Sequence, residues 1–249
     1  MADTPSRAVE AHYDELLGER YTWMMGGAAA CHANARALLD AGGIMAQAGD
    51  IALDLGAGAG FHARALAERG FEVIAVDTNN ALLHELGGVC AGFGVAPVQS
   101  HLLDDRAYRS RAPFALILCA GDTLAHLGDD EDVSQLIDLA ASLLAPGGAL
   151  LLQFREQPQD VRPQDCSFVV RSERDRIMEC ILHFDHERVW VTDVVHEWGG
   201  ELWRTIRSTY PKLRLSSEAL VADAKCAGLT EAVNTTFARQ RVLVFRRSP

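Results

Sequence analysis

Ile51-Ala52-Leu53-Asp54-Leu55-Gly56-Ala57-Gly58-Ala59-Gly60 reads as a buried strand passing into a helix through a loop almost without side chains. Such a loop lets main-chain N–H groups and a helix N-terminus come close to a ligand. Downstream, Phe71 to Val76 is a second apolar run, and it ends in Asp77. In a strand-loop-helix-strand unit, that is where a carboxylate accepts hydrogen bonds from both hydroxyls of a ribose. Loop and acid together describe a nucleoside site.

Glycine spacing narrows the choice of nucleoside. A dinucleotide loop places its glycines as G-x-G-x-x-G, the third bringing helix and strand together beneath a pyrophosphate. Here Phe61 stands three residues after Gly58 and the loop runs G-x-G-x-G. With Asp54 ahead of the loop and Asp77 after the next strand, this resembles the first two motifs of class I S-adenosylmethionine-dependent methyltransferases, whose ligand has no phosphate.

Working outward, strands and helices alternate. Ala8 to Leu17 and Ala28 to Leu39 read as helices, the second stopped at Gly42-Gly43. Strands near 51–55, 71–76, 95–99, 114–119 and 148–154 are separated by helical stretches near 60–69, 79–90 and 131–145. This alternation requires a mostly parallel sheet covered on both faces. After Arg155 the rhythm changes. Gln157 to Asp165 is a polar connection, followed by extended segments at 167–170, 177–184, 189–196 and 202–210 with turns between them, among them Gly199-Gly200. Helix returns at Ser217 to Ala227, and strands near 231–237 and 241–246 close the chain. The expected fold class is α/β: a doubly wound, mostly parallel seven-stranded sheet of Rossmann-like type with an inserted antiparallel β meander. One domain is expected over 1–249, made of a helical cap (1–48), a cofactor-binding core (49–156), the insertion (157–211) and a closing helix and strands (212–249).

Composition excludes several rivals. With 249 residues, 49% apolar and 23% charged, the chain can bury a sizeable core. A net charge of −11 and the lack of a long basic stripe disfavour nucleic acid, so a small-molecule substrate is expected. The six cysteines show neither C-x-x-C pairing nor metal-ligand spacing, and no metal is expected. The opening Met1-Ala2-Asp3-Thr4-Pro5 lacks an apolar signal region, and no stretch approaches membrane-span length; the expected compartment is the cytoplasm, with no membrane partner. The Val-, Ile- and Trp-rich meander suits either a homo-oligomer contact or a cover over its own site.

The resemblance extends to glycine and sarcosine N-methyltransferases and related small-molecule enzymes. It rests on Leu118 to Leu127, on Arg155 after the fifth strand, and on Thr209-Tyr210-Pro211 leading from the meander to the last helix, while the turn Leu144 to Gly148 resembles the class I methyltransferases in general. It implies S-adenosyl-L-methionine as cofactor and S-adenosyl-L-homocysteine as product. The methionine part would lie on Gly56, Ala57 and Gly58, with Gly60 completing the loop and Asp54 supporting it. Asp77 would take the ribose and Thr78 would lie near the adenine, whose edge is read by His101 and Leu102 or, in a shifted register, by Asp104. Cys119, Ala120 and Gly121 would line the sulfonium side, and Tyr21 and Trp23, ahead of Gly26-Gly27, would cap the cofactor. Asp122, Arg155 and Tyr210 fall on the substrate side, where the arginine's fork of donors suits a carboxylate. Asp122 would oppose such a group unless paired with a substrate amine or with Arg155.

Methyl transfer needs little machinery beyond placement. An amine acceptor must present a free lone pair, and His126 has an intrinsic pKa suited to a base. Two other readings stay open on sequence: an NAD-linked oxidoreductase, and a non-catalytic adenosyl-ligand-binding module.

Overall fold

A computed structural model describes residues 5–157 and 164–249. Helix α1 (Pro5–His12) runs through a wider turn (Tyr13–Leu17) and a tighter one (Gly18–Arg20) into the short α2 (Tyr21–Met24); α3 (Ala28–Ala41) follows. The core alternates β1 (Ile51–Leu55), α4 (Phe61–Glu68), β2 (Glu72–Asp77), α5 (Asn80–Val89), β3 (Val95–Gln99), β4 (Phe114–Cys119), α6 (Asp130–Leu143) and β5 (Leu144–Phe154). Four further strands follow, β6 (Cys166–Ser172), β7 (Arg176–Phe184), β8 (Arg188–Trp198) and β9 (Trp203–Leu213). The last elements are α7 (Ser217–Cys226), β10 (Leu229–Phe237) and β11 (Gln240–Arg247).

Seven strands form one sheet in the order β10-β11-β5-β4-β1-β2-β3. The five strands β1 to β5 are parallel, while β11 runs antiparallel to both β5 and β10. The doubly wound Rossmann-like architecture is therefore present, and β6-β7-β8-β9 make a separate antiparallel sheet. Most of the polar connection expected at Gln157 to Asp165 lies outside the described residues.

Period-two alternation decides which side chains enter which layer. From β1, Leu53 and Leu55 point toward α6 and α7, packing with Leu136, Ile137 and Leu220. Ala52 points the other way, toward Leu38, Ala63, Leu66 and Leu86 of α3, α4 and α5. Asp54 falls on that second phase, which buries its carboxyl. Three helix starts among the described residues are capped by side chains: Asn79 accepts from Leu82 N–H, Asp129 from Asp132 N–H and Ser216 Oγ from Ala219 N–H. The acidic run from Asp129 therefore begins α6.

The small sheet turns its inner face to the N-terminal helices. Val9 packs with Phe184, Val189, Val191 and Tyr210, and Leu16 and Leu17 pack with Met178 and Val195. One expectation is corrected here: Thr209-Tyr210-Pro211 belongs to β9 and is not a link out of the meander, since pairing with β8 continues to Leu213. Pro211 is tolerated because β9 is an edge strand, where a missing N–H breaks no ladder. Trp198 and Trp203 face each other across the outer side, their rings 5.7 Å apart.

Candidate functional site

The order of the large sheet reverses beside β1, and ligands of open α/β sheets bind at the strand ends of such a switch point. A cavity of about 700 Å³ opens there, bounded by the ends of β1, β2 and β4, the N-terminal helices and the inner face of the small sheet.

The glycine loop explains its own sequence. Gly56, Gly58 and Gly60 all have positive φ, at 75°, 54° and 85°. A Cβ on Gly56 would strike Thr123 at 2.3 Å, and one on Gly60 would strike Leu86 at 2.5 Å, whereas one on Gly58 meets no protein atom within 4 Å. Gly58 borders the cavity and Gly60 does not, so Gly60 serves helix–loop packing. The loop's donors are committed internally: Gly56 and Ala57 N–H donate to Val76 O, Gly58 N–H to Asp77 Oδ2, and Gly60 N–H to Ala57 O. The expected approach of main-chain N–H groups to a ligand is thereby removed for these four, while Ala59 of the same loop borders the cavity. A phosphate cradle needs such donors free, and this loop presents none of those four.

Asp77 accepts from Gly58 N–H at 2.8 Å and from Asn79 N–H at 2.9 Å, which ties loop and α5 to the end of β2. Asn79 in turn donates to Asp14, joining the cap to this corner. Burial raises the Asp77 pKa, opposed by the hydrogen bonds from Asn79, Gly58 and Thr78.

Asp54, 1% exposed, has Oδ2 without a hydrogen-bond partner. Burial first, then the charge of Asp77, push its pKa up to about 7. A raised carboxyl pKa contributes stability that is fully present below the unfolded value near 4 and is lost as pH rises through the folded one. Asp54→Asn should therefore flatten the fall in stability between pH 5 and 7, by on the order of 2 kcal/mol. Urea melts at those two pH values check this, and equal pH slopes in the two proteins would refute it.

Thr78, His101, Leu102, Ala120, Gly121, Tyr21, Asp122, Arg155, His126 and Tyr210 all line the cavity. Cys119 and Trp23 do not. Cys119 sits in the core beneath the sheet's end, and Trp23 is turned onto Arg176, 4.9 Å from its ring. Asp104 is likewise off the wall, its carboxylate held by Arg106, which leaves His101 as the one of that pair bordering the cavity. Burial pushes the Tyr21 hydroxyl up to about 12.

On the acceptor side, Asp122 (φ 72°) accepts from Arg155 N–H at 2.9 Å and from Lys212 Nζ at 2.8 Å. Burial alone would raise its pKa; the Lys212 charge and these hydrogen bonds outweigh it and hold the carboxyl low. Its charge is thus compensated inside the protein, which removes the expected conflict with an acceptor carboxylate. The Arg155 side chain is exposed at the rim and makes no hydrogen bond or ion pair among the described residues. His126 is half-buried, its Nε2 buried and unpartnered and its ring edge-on to Tyr13 and to Tyr210. Burial, then the Lys212 charge, lower its pKa to about 3, so its imidazole is neutral.

Sequence reasoning missed three residues here. Gln153 accepts from Gly121 N–H, Lys212 neutralises Asp122, and Asp193 lies on the wall contributed by β8. The signal for Lys212 was its phase: two residues beyond Tyr210, it shares that face once the strand is carried to Leu213.

Residues 52–148 match the family model described as a methyltransferase domain. No curated protein matches the chain. Among solved structures, the chain is similar to the CcbJ methyltransferase of Streptomyces caelestis, at 22% identity and TM-score 0.75 over 99% of each chain. It is similar to the sugar N-methyltransferase KedS8 of a Streptoalloteichus species, at 17% identity and TM-score 0.73, covering 95% of this chain and 96% of that one. It is also similar to CalS10 of Micromonospora echinaspora, described as an amino pentose methyltransferase with bound cofactor, at 18% identity and TM-score 0.72, covering 92% and 96%. From end to end, the chain carries the fold of these methyltransferases.

Proposed function

We propose that this protein is an S-adenosyl-L-methionine-dependent methyltransferase acting on a small-molecule acceptor, with an amine nitrogen as the methylated atom. One observation carries the reading. A glycine loop whose Gly56, Ala57, Gly58 and Gly60 N–H groups are spent within the protein stands beside a ribose-suited carboxylate, and both border a cavity with room for a nucleoside and an acceptor. The same feature weighs against the NAD-linked alternative, whose pyrophosphate would seek those donors. The match over residues 52–148 supports the chemistry, and the likeness to KedS8, a sugar N-methyltransferase, and CalS10, an amino pentose methyltransferase, supports the amine.

In this reading Asp77 takes the ribose hydroxyls, Thr78, His101 and Leu102 hold the adenine, and the open side of Gly58 admits the methionine part. Tyr21, Ala120 and Gly121 close the sulfonium side. S-adenosyl-L-methionine supplies a methyl group already activated for displacement and leaves as S-adenosyl-L-homocysteine. What remains for the chain is to hold the acceptor in line and keep water out, and such placement is worth roughly 7–11 kcal/mol. His126, held neutral by burial, is a poor store for a proton but a ready acceptor of a hydrogen bond at Nε2. By accepting a hydrogen bond from the amine N–H it orients the lone pair toward the methyl carbon; the C–N bond forms as the C–S bond breaks, and the resulting ammonium gives its proton to solvent water on release. Arg155 at the rim binds a carboxylate or other anionic part of the acceptor.

Calorimetry with S-adenosylhomocysteine, followed by mass-spectrometric screening of amines, amino acids and amino sugars, tests the assignment. Tight binding and a product heavier by one methyl group support it; a copurifying dinucleotide overturns it. On the acceptor found, His126→Ala should lower kcat about a hundredfold with cofactor affinity unchanged. Full activity in that variant would remove His126 from the reaction.

A further inference from the structure

The inner face of the small sheet is apolar along β8 except at Asp193 and at Glu197, which is paired with Arg20. Val189, Val191 and Val195 share a phase with Asp193, which pairs in register with Cys180 on β7 and Ser208 on β9. Asp193 is 3% exposed and borders the cavity. Behind it His12, fully buried on α1, brings Nε2 to 3.2 Å from Asp193 Oδ2, yet neither ring nitrogen makes a directed hydrogen bond. The His12 ring is instead stacked on Tyr210, with centroids 4.0 Å apart and planes 28° from parallel.

Burying an imidazole with both ring nitrogens unpartnered beside a carboxylate is costly, and in a cavity wall a ligand held by that carboxylate can recover part of the cost. Position indicates which ligand. Tyr210 packs against the rings of both His12 and His126, at 4.0 and 5.7 Å, so Asp193 and His126 share the cavity wall around Tyr210. The nearby ammonium of Lys212 is committed to Asp122, so it leaves the negative charge of Asp193 to attract another cation.

We infer that Asp193, oriented by His12, is a subsite for a protonated nitrogen on the acceptor, remote from the atom that is methylated. Asp193 touches the substrate in this account, and His12 is a positioning residue. The inference rests on the methyltransferase reading, since it takes the cavity beyond His126 to be the acceptor's.

Two fragments of one shape test it: benzylamine and benzyl alcohol, titrated by ligand-observed NMR with S-adenosylhomocysteine present. Wild type should prefer the ammonium by about tenfold, and Asp193→Asn should bring the two affinities within about twofold. His12→Phe, which keeps the stack on Tyr210, should weaken the preference without abolishing it. No preference in the wild type overturns the subsite, and so does a preference that survives in a folded Asp193→Asn protein. If that variant does not fold, the wild-type comparison decides alone. Calorimetric binding of S-adenosylhomocysteine, measured first, keeps the tests separate: failure there strikes the methyltransferase reading, whereas binding without amine preference strikes only the subsite.

Discussion

Asp77→Ala is expected to raise the Kd for S-adenosylmethionine at least about a hundredfold. The Asp77 carboxylate does two jobs, holding Gly58 and Asn79 through their N–H groups and, in the proposed function, receiving the ribose. Charge-assisted hydrogen bonds are worth about 1.5–3 kcal/mol each, so losing a pair of them to the ribose removes about 3 kcal/mol or more of affinity. Alanine also strands the Gly58 and Asn79 donors, which loosens the loop. Asp77→Asn separates the two jobs, because its single carbonyl oxygen can still accept one of these bonds. It should keep most of the stability while losing about tenfold in affinity. Calorimetry paired with thermal melts reads both quantities; a Kd for Asp77→Ala within about threefold of wild type would dismiss the ribose assignment.

Lys212→Met should destabilise the fold by about 3 kcal/mol, the usual consequence of leaving one member of a buried ion pair alone. Lys212 holds Asp122, and Asp122 also fixes Arg155 N–H at the point where the chain leaves the large sheet. In the wild type the Asp122 carboxyl is held low, so its contribution is present above the unfolded pKa near 4 and is lost as pH falls below it. Without the lysine, burial becomes the dominant influence and reverses the sign. The variant should then gain stability as the medium is acidified from pH 7 toward 5. Adding Asp122→Asn to Lys212→Met should recover most of the loss, because the orphaned charge is gone. Urea denaturation of the single and double variants at both pH values measures each effect, and equal stability of wild type and Lys212→Met would show that the pair is dispensable.

Both experiments act on contacts that differ in how visible they were beforehand. The glycine loop and Asp77 are local: φ values open to glycine and a carboxylate at a strand's end are set by neighbours within a few positions, so their spacing is written in the chain. Lys212 was hidden because its partner is 90 residues away and because Pro211 invited an early end to β9. Asp193 carried a usable signal, an acid on the apolar phase of Val189, Val191 and Val195, but its meaning depended on His12 arriving from the other end of the chain.

The residues alone determined the alternation of strands and helices, the α/β layering, and the corner where loop and acid meet, because hydrophobic periodicity and glycine's freedom act over short stretches. Tertiary structure decided that four of the loop's N–H groups are already spent, that Trp23 and Cys119 turn away from the cavity, and that Asp122 is neutralised by Lys212. Those outcomes depend on burial and on charges brought together across the sheets, and the energies of such contacts exist only once distant segments share a low-dielectric interior.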